Sequence, residues 1–186
     1  MNQRPALPGV CSTLHLKEAE STQTLARALA EQGAEDRMLI WADRQTQGRG
    51  RMARRWSSPA GGLYISLILR PSFAPAELAA FSLMTAEAAA RALQGLSGIE
   101  MAIKPPNDVL ASTRSGPRKI CGILSQASGP ARRLDWLVVG VGINVNAAPR
   151  TVGAASLKSI TERTWEIEDI LREFLTQFFS RYARFP

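Results

Sequence analysis

Leu134-Asp135-Trp136-Leu137-Val138-Val139-Gly140-Val141-Gly142-Ile143, running on into Asn144-Val145-Asn146, is the stretch on which the fold turns. From Trp136 to Ile143 it holds no charged or hydrogen-bonding side chain other than the indole. A strand with one wet face alternates apolar and polar residues, whereas one covered on both faces reads as an unbroken apolar run. Residues 134–143 are therefore predicted to be a strand with helices on both sides. Working outward, further strands are predicted at 119–125, 99–103, 62–70 and 38–42, with Leu63, Ile65, Leu67 and Leu69 on one face of 62–70. A helix is expected from a Ser21 or Thr22 cap to Gly33, with Leu25 and Leu29 on one face. A second covers 75–96, where Leu78, Phe81, Thr85, Ala88 and Ala92 recur at helical spacing. A third covers 168–182, with Ile170, Leu171, Phe174, Leu175, Phe178 and Phe179 on one stripe. Strands set between flanking helices predict an α/β (α+β) domain built on a mixed sheet.

Residues 1–10, with two prolines and a glycine, read as a loose arm, and 114–118 as a turn. With 186 residues, 45% apolar and 21% charged, the chain has the composition of a globular domain. It holds no apolar run long enough for a membrane span and no signal-peptide pattern at its start, so a cytoplasmic location is expected. Cys11, Cys121 and His15 make no zinc-ligand spacing, and with two distant cysteines a reduced compartment is the simplest reading.

The formal charge of +7 favours anionic partners. Arg44, Arg49, Arg51, Arg54 and Arg55 crowd into a stretch, 43–62, that lacks periodicity and follows a strand. Within it, Gln45-Thr46-Gln47-Gly48-Arg49-Gly50-Arg51 alternates glycine with arginine. Glycine lets a backbone approach a ligand, and guanidinium forks grip carboxylate or phosphate. A nucleic-acid-binding segment or a solvated loop stands as the alternative. The ordered run Trp56-Ser57-Ser58-Pro59 leading into a strand argues against a disordered segment.

Three more segments carry polar groups at strand ends. Lys104-Pro105-Pro106-Asn107-Asp108-Val109 reads either as a rigid turn with an Asx cap or as a site in which Lys104 meets phosphate and Asp108 holds Mg²⁺. Lys119 opens the apolar run Ile120-Cys121-Gly122-Ile123-Leu124, as an edge charge or an anion contact. Gly140-Val141-Gly142-Ile143-Asn144-Val145 fails the dinucleotide fingerprint, because Val145 stands where a third glycine belongs. There is no phosphate-binding P-loop and no nucleophile elbow, and a hydrolase triad would have to use His15, which has no motif around it.

Taken together, GRGRMARRWSSPAGGLY (48–64), KPPNDV (104–109), KICGIL (119–124) and GVGINVN (140–146) resemble the catalytic domain of the biotin protein ligases, as does Ser21-Thr22-Gln23 against that family's S-T-N. The resemblance spans roughly 12–185. It implies the fold shared with class II aminoacyl-tRNA synthetases and lipoate ligases. It also implies a two-step activity: biotin and ATP give biotinyl-5′-AMP, then the biotinyl group passes to a lysine of a biotin carboxyl carrier protein or carrier domain. By motif match, Ser21, Thr22, Gln23 and Gln45 read the ureido ring, while Arg49, Gly50 and Arg51 wrap the carboxylate and later the acyl phosphate. Lys119 holds carboxylate and α-phosphate in line. Gly122 and residues 140–142 let the ligand lie against the sheet, and Asn144 faces adenine. Lys104, Asn107 and Asp108 serve the nucleotide, with Asp108 positioning Mg²⁺. Trp56 packs under the loop.

The sequence departs from the pattern in several places. Pro105 replaces a tryptophan, Ala53 a glycine and Gln126 a glutamate. The domains expected are a flexible arm, 1–11, and a catalytic domain, 12–186, with neither an N-terminal helix-turn-helix nor a C-terminal SH3-like domain, and hence no specific DNA binding. The loop 48–55 is expected to be mobile when empty and ordered by biotin or the adenylate. A homologue that binds biotin without efficient transfer, or one that takes another acyl group such as lipoate, is the alternative, and both monomer and homodimer remain open.

Overall fold

The computed structural model describes residues 6–149 and 151–186. Its strands are β1 (Ser12–Leu16), β2 (Met38–Ala42), β3 (Leu63–Leu69), β4 (Met101–Lys104), β5 (Asp108–Ala111), β6 (Arg118–Ser128) and β7 (Trp136–Ile143). They form one sheet in the order β1-β2-β3-β7-β6-β5-β4. Only the β1–β2 pair is parallel, so the sheet is mixed, as expected. β7 lies between β3 and β6, which is why its apolar run is continuous.

Alternation across β7 divides the interior in two. Leu137, Val139, Val141 and Ile143 face a large core shared with α2 (Leu78–Ser97) and α4 (Ile167–Tyr182). Phe81, Phe174 and Phe178 are fully buried there, each stabilising the fold by roughly 2–3 kcal/mol. On the other face Trp136 and Val138 join Ile40, Ile68, Ala26 and Ala30 beneath α1 (Thr22–Glu31). All seven residues of β3 are therefore buried, not only the predicted face. Helix α1 is capped by Ser21, whose Oγ accepts from Thr24 N, and α2 ends on Gly98 in the left-handed region.

Three elements escape the sequence prediction: β1, β5 and the short α3 (Leu157–Thr161), closed by reciprocal Ser156 and Ser159 bonds. The expected loose arm is also corrected over its described part. Leu7 and Val10 pack on the main core, and Gly9 lies so close to the Phe179 ring that a side chain there would collide with it. Residues 1–5 of that expectation lie outside the described residues. Among the described residues no helix is long and apolar enough to cross a membrane.

Candidate active site

The register of the sheet builds the floor of the site. Ser66, Gly140 and Leu124 form one row across β3, β7 and β6, and Tyr64, Gly142 and Gly122 form the next. Both rows lie on the α1 face at the N-terminal end of that helix, with Gln23 over Gly140 and the Trp56 indole over Gly122 and Gly142. A cavity of about 240 Å³ opens there.

Segment 43–62 forms the roof, and it is not the structureless loop that its composition predicts. Gln45 and Ser58 pair in a β-bridge, as do Arg49 and Arg55. Trp56 N donates to Gly48 O at 2.9 Å and Gly50 N to Arg54 O at 2.8 Å. Gly48 is required: a Cβ there would lie 2.7 Å from Ser58 Oγ. The tip turns through Met52 (φ 55°) and Ala53 (φ 59°), two non-glycine residues in the left-handed region.

At one end of the cavity the side chains are neutral and tightly bonded. Thr22 N and Oγ1 both donate to Gln45 Oε1, at 2.8 and 3.1 Å, and Gln45 Nε2 donates to Ser58 Oγ at 2.7 Å. An amide nitrogen has two protons, so Gln45 keeps one for a ligand. Gln23 lies flat over Gly140, where any Cβ would strike its Oε1.

The other end is cationic. Arg49, Arg51, Arg54, Arg55 and Lys119 line it against one carboxylate, Asp108. Lys119 Nζ stands 2.7 Å from Asp108 Oδ1 and 5.2 Å from the centre of the Trp56 ring. Arg51 donates to Asn107 Oδ1 at 2.9 Å, and Asn107 Nδ2 donates to Asp108 Oδ1 at 3.2 Å and to Ile123 O at 3.0 Å. One chain of contacts thus ties the loop tip to the lysine through the β4–β5 turn. With five cations to one carboxylate, the cavity suits a polyanion. No group of three or more His, Cys, Asp or Glu side chains able to hold a metal occurs among the described residues.

Most of the predicted site residues meet here: Thr22, Gln23, Gln45, Arg49, Gly50 and Arg51 on one wall, Asn107, Asp108, Lys119, Gly122 and Gly142 on the other. Three do not. Ser21 is buried at the helix cap, and Lys104 is exposed at the end of β4. Asn144 lies behind the wall, where its Nδ2 donates to Ala155 O and its buried Oδ1 has no partner among the described residues. The glycines differ from expectation. Trp56 covers two of them: a Cβ on Gly142 would lie 2.5 Å from Trp56 Nε1, and one on Gly122 would lie 2.8 Å from its Cζ3. Small residues there make room for the indole and for Gln23.

Sequence reasoning missed Ser58, Ser66 and the covering position of Trp56. Ser66 had a signal, being the lone aliphatic hydroxyl inside the buried L-Y-I-S-L-I-L strand. Its Oγ lies 3.0 Å from both Thr22 Oγ1 and Gln23 Oε1. Cys121, beside Lys119 in sequence, is no nucleophile: burial pushes its thiol far up, outweighing the pull of the lysine. His15 stays away from the cavity, stacked on Trp41 at 3.9 Å and bonded to Asp43 at 2.7 Å.

A seven-stranded mixed sheet carrying an arginine–glycine roof over a lysine–aspartate pair defines a class of fold and site, and the comparisons agree with it. The family model for the biotin/lipoate A/B protein ligase family matches residues 16–144. The bifunctional ligase/repressor BirA of Bacillus subtilis is 34% identical over 169 residues, covering 87% of this chain and 51% of that protein. The biotin–[acetyl-CoA-carboxylase] ligase of Paracoccus denitrificans is 34% identical over 175 residues, covering 91% of this chain and 70% of that one. The structure of the Aquifex aeolicus biotin protein ligase in complex with biotin and ATP superposes with a TM-score of 0.77 at 33% identity, covering 94% of this chain and 72% of that one. The chain spans about half the length of the Bacillus subtilis relative. It belongs to the biotin/lipoate A/B protein ligase family.

Proposed function

We propose that this chain activates biotin with ATP and transfers it to a lysine of a biotin carboxyl carrier protein. The observation that carries the reading is the two-ended cavity: neutral, direction-specific amide and hydroxyl groups at one end, four arginines and a lysine–aspartate pair at the other. Biotin has a matching shape, a hydrogen-bonding ureido ring joined by an apolar chain to a carboxylate.

In the first step a carboxylate oxygen attacks the α-phosphorus of ATP. A mixed anhydride forms and pyrophosphate leaves. Two anions must meet, and charge grows on the phosphoryl oxygens. Fixed cations serve that charge better than water does. In this reading Thr22 and Gln45 hold the ureido ring with Gln23 and Ser21 behind them, Arg49, Gly50 and Arg51 wrap the carboxylate, and Lys119 bridges carboxylate and α-phosphate. Asp108 and Asn107 hold Lys119 and Arg51 in place through the contacts described above. Asn144 is buried behind the wall, so its Oδ1, which has no partner among the described residues, would reach the adenine amine only if that wall opens as the nucleotide enters. Lys104 is left at the rim. Trp56 must swing off Gly122 and Gly142 for the ligand to reach the sheet.

Mg²⁺ enters this reading with ATP. Asp108 is the one carboxylate on the described wall and its Oδ1 is already engaged, so the chain itself offers little to a bare ion. The phosphates supply the remaining oxygens that Mg²⁺ demands. In the second step the carrier's lysine amine attacks the acyl carbon, loses a proton, and AMP departs.

Biotin-dependent ATP–pyrophosphate exchange tests the first step, and mass gain on a purified carrier domain tests the second. Exchange stimulated by lipoate or octanoate but not by biotin would transfer the reading to another acyl group, and exchange with none of them would end it.

A further inference from the structure

We infer that Gln126, which does not line the cavity, is a positioning residue for ureido recognition, acting through Gln23 and Ser66. The inference rests on the function proposed above and names a residue to which that reading gives no part.

The argument is a count of protons. Gln23 is 3% exposed, and its Nε2 faces three acceptors: Gln126 Oε1 at 3.0 Å, and Leu124 O and Val138 O at 3.3 Å each. With Nε2 turned to the sheet, Oε1 must point at Ser66 Oγ, 3.0 Å away. Ser66 owns a single proton and has a second acceptor at the same distance, Thr22 Oγ1. Thr22 Oγ1 already gives its own proton to Gln45 Oε1.

Where the Ser66 proton goes therefore decides the state of the cavity. Given to Gln23 Oε1, it leaves the lone pairs of Thr22 Oγ1 open to accept a ring N–H from a ligand. Given to Thr22, it takes one of that oxygen's two lone pairs and leaves it a poorer acceptor for a ligand. An acceptor at position 126 keeps Gln23 facing the sheet and so keeps both lone pairs of Thr22 Oγ1 open. A donor-only side chain there would turn the Gln23 amide over. Nε2 would then donate to Ser66, and Ser66 would pass its proton to Thr22. Gln126 Oε1 makes the shortest of the three bonds that hold the amide, and it is the only one of those acceptors that mutation can change.

The test is ATP–pyrophosphate exchange by the full chain and by Gln126→Glu, Gln126→Leu and Gln126→Lys, with KM measured separately for biotin and ATP. Glu keeps an acceptor, and KM for biotin should stay within about twofold of the parent. Leu should raise it several-fold and Lys at least about tenfold. KM for ATP and kcat at saturating biotin should hold within about twofold throughout. If Gln126→Lys does not fold, the Leu and Glu variants decide alone: impairment by Leu that Glu does not share supports the role. Equal biotin KM in all variants, equal impairment by Glu and Leu, or a parallel rise in KM for ATP would overturn it. Parent exchange with biotin separates the two ideas: its absence removes the reading of activity and this inference with it, while its presence with a flat mutant series removes Gln126 alone.

Discussion

Replacing Gly142 with alanine asks whether the sheet is hollowed to receive Trp56. The new Cβ would stand 2.5 Å from Trp56 Nε1 and 2.6 Å from its Cε2. Non-bonded atoms settle near ~3.5 Å, so the indole must retreat by about 1 Å. The backbone cannot give way instead, because Gly142 pairs with Tyr64 on one side and Gly122 on the other. Overpacking of this kind costs roughly 1–3 kcal/mol, and the gain from removing a glycine inside a strand returns about 0.5–1 kcal/mol. The net loss should be centred on ~1 kcal/mol and reach at most about 2.5, or roughly 2–4 °C in Tm at the centre for a chain of this size. Urea unfolding of the parent, Gly142→Ala, Trp56→Leu and the double variant isolates the contact. The alanine should be costly beside Trp56 and neutral or stabilising beside Leu, with a coupling of about 1 kcal/mol or more. An equal cost in both backgrounds, or no cost in the parent, would refute the contact.

Lys119→Ala should lower the rate of pyrophosphate exchange by roughly 10²–10³-fold, the size of a lost oxyanion donor, while biotin binding measured by calorimetry stays within a few-fold. Arg51→Ala should release free biotinyl-5′-AMP faster than the parent in a chromatographic assay, because the roof loses its anchor on Asn107; equal leakage would count against that role. Stability should also fall in alkali. Burial holds the Tyr64 and Tyr182 phenols and the Cys121 thiol above their ordinary range. In each case the folded state keeps a proton that the unfolded chain gives up, so the contribution is intact at neutral pH and is lost as pH rises. Tm should be level near neutrality and decline above about pH 9, where free thiols and phenols begin to ionise; a Tm that holds level to pH 11 would contradict this.

The centre of the sheet was legible because burial on two faces leaves an unmistakable composition. Residues 38–42 and the end of β7 at Ile143 lie where the apolar runs place them. The edges were not. β1 alternates half-buried and exposed residues with Ser, Thr and His among them, so it carries little apolar signal. β5 begins at Asp108, which its motif marks as a site residue, and that hid the strand behind it. α3 is five residues long and held by caps, too short for any periodicity. In the site, motif spacing located the loop, the turn and Lys119. What it could not locate were contacts across the sequence: Trp56 against Gly122 and Gly142, or Gln23 against Gln126. Such pairs are set by sheet register, and no local pattern records them.

The central claim is that the arginine–glycine roof and Lys119 together hold a vitamin carboxylate against a nucleotide phosphate. A crystal structure with biotin and ATP tests it most directly. The claim predicts electron density for biotinyl-5′-AMP with its acyl phosphate between Arg49, Arg51 and Lys119, its ring at Thr22 and Gln45, and Trp56 lifted from the two glycines. Ligands bound elsewhere, with Trp56 still seated and Arg51 still on Asn107, would contradict it.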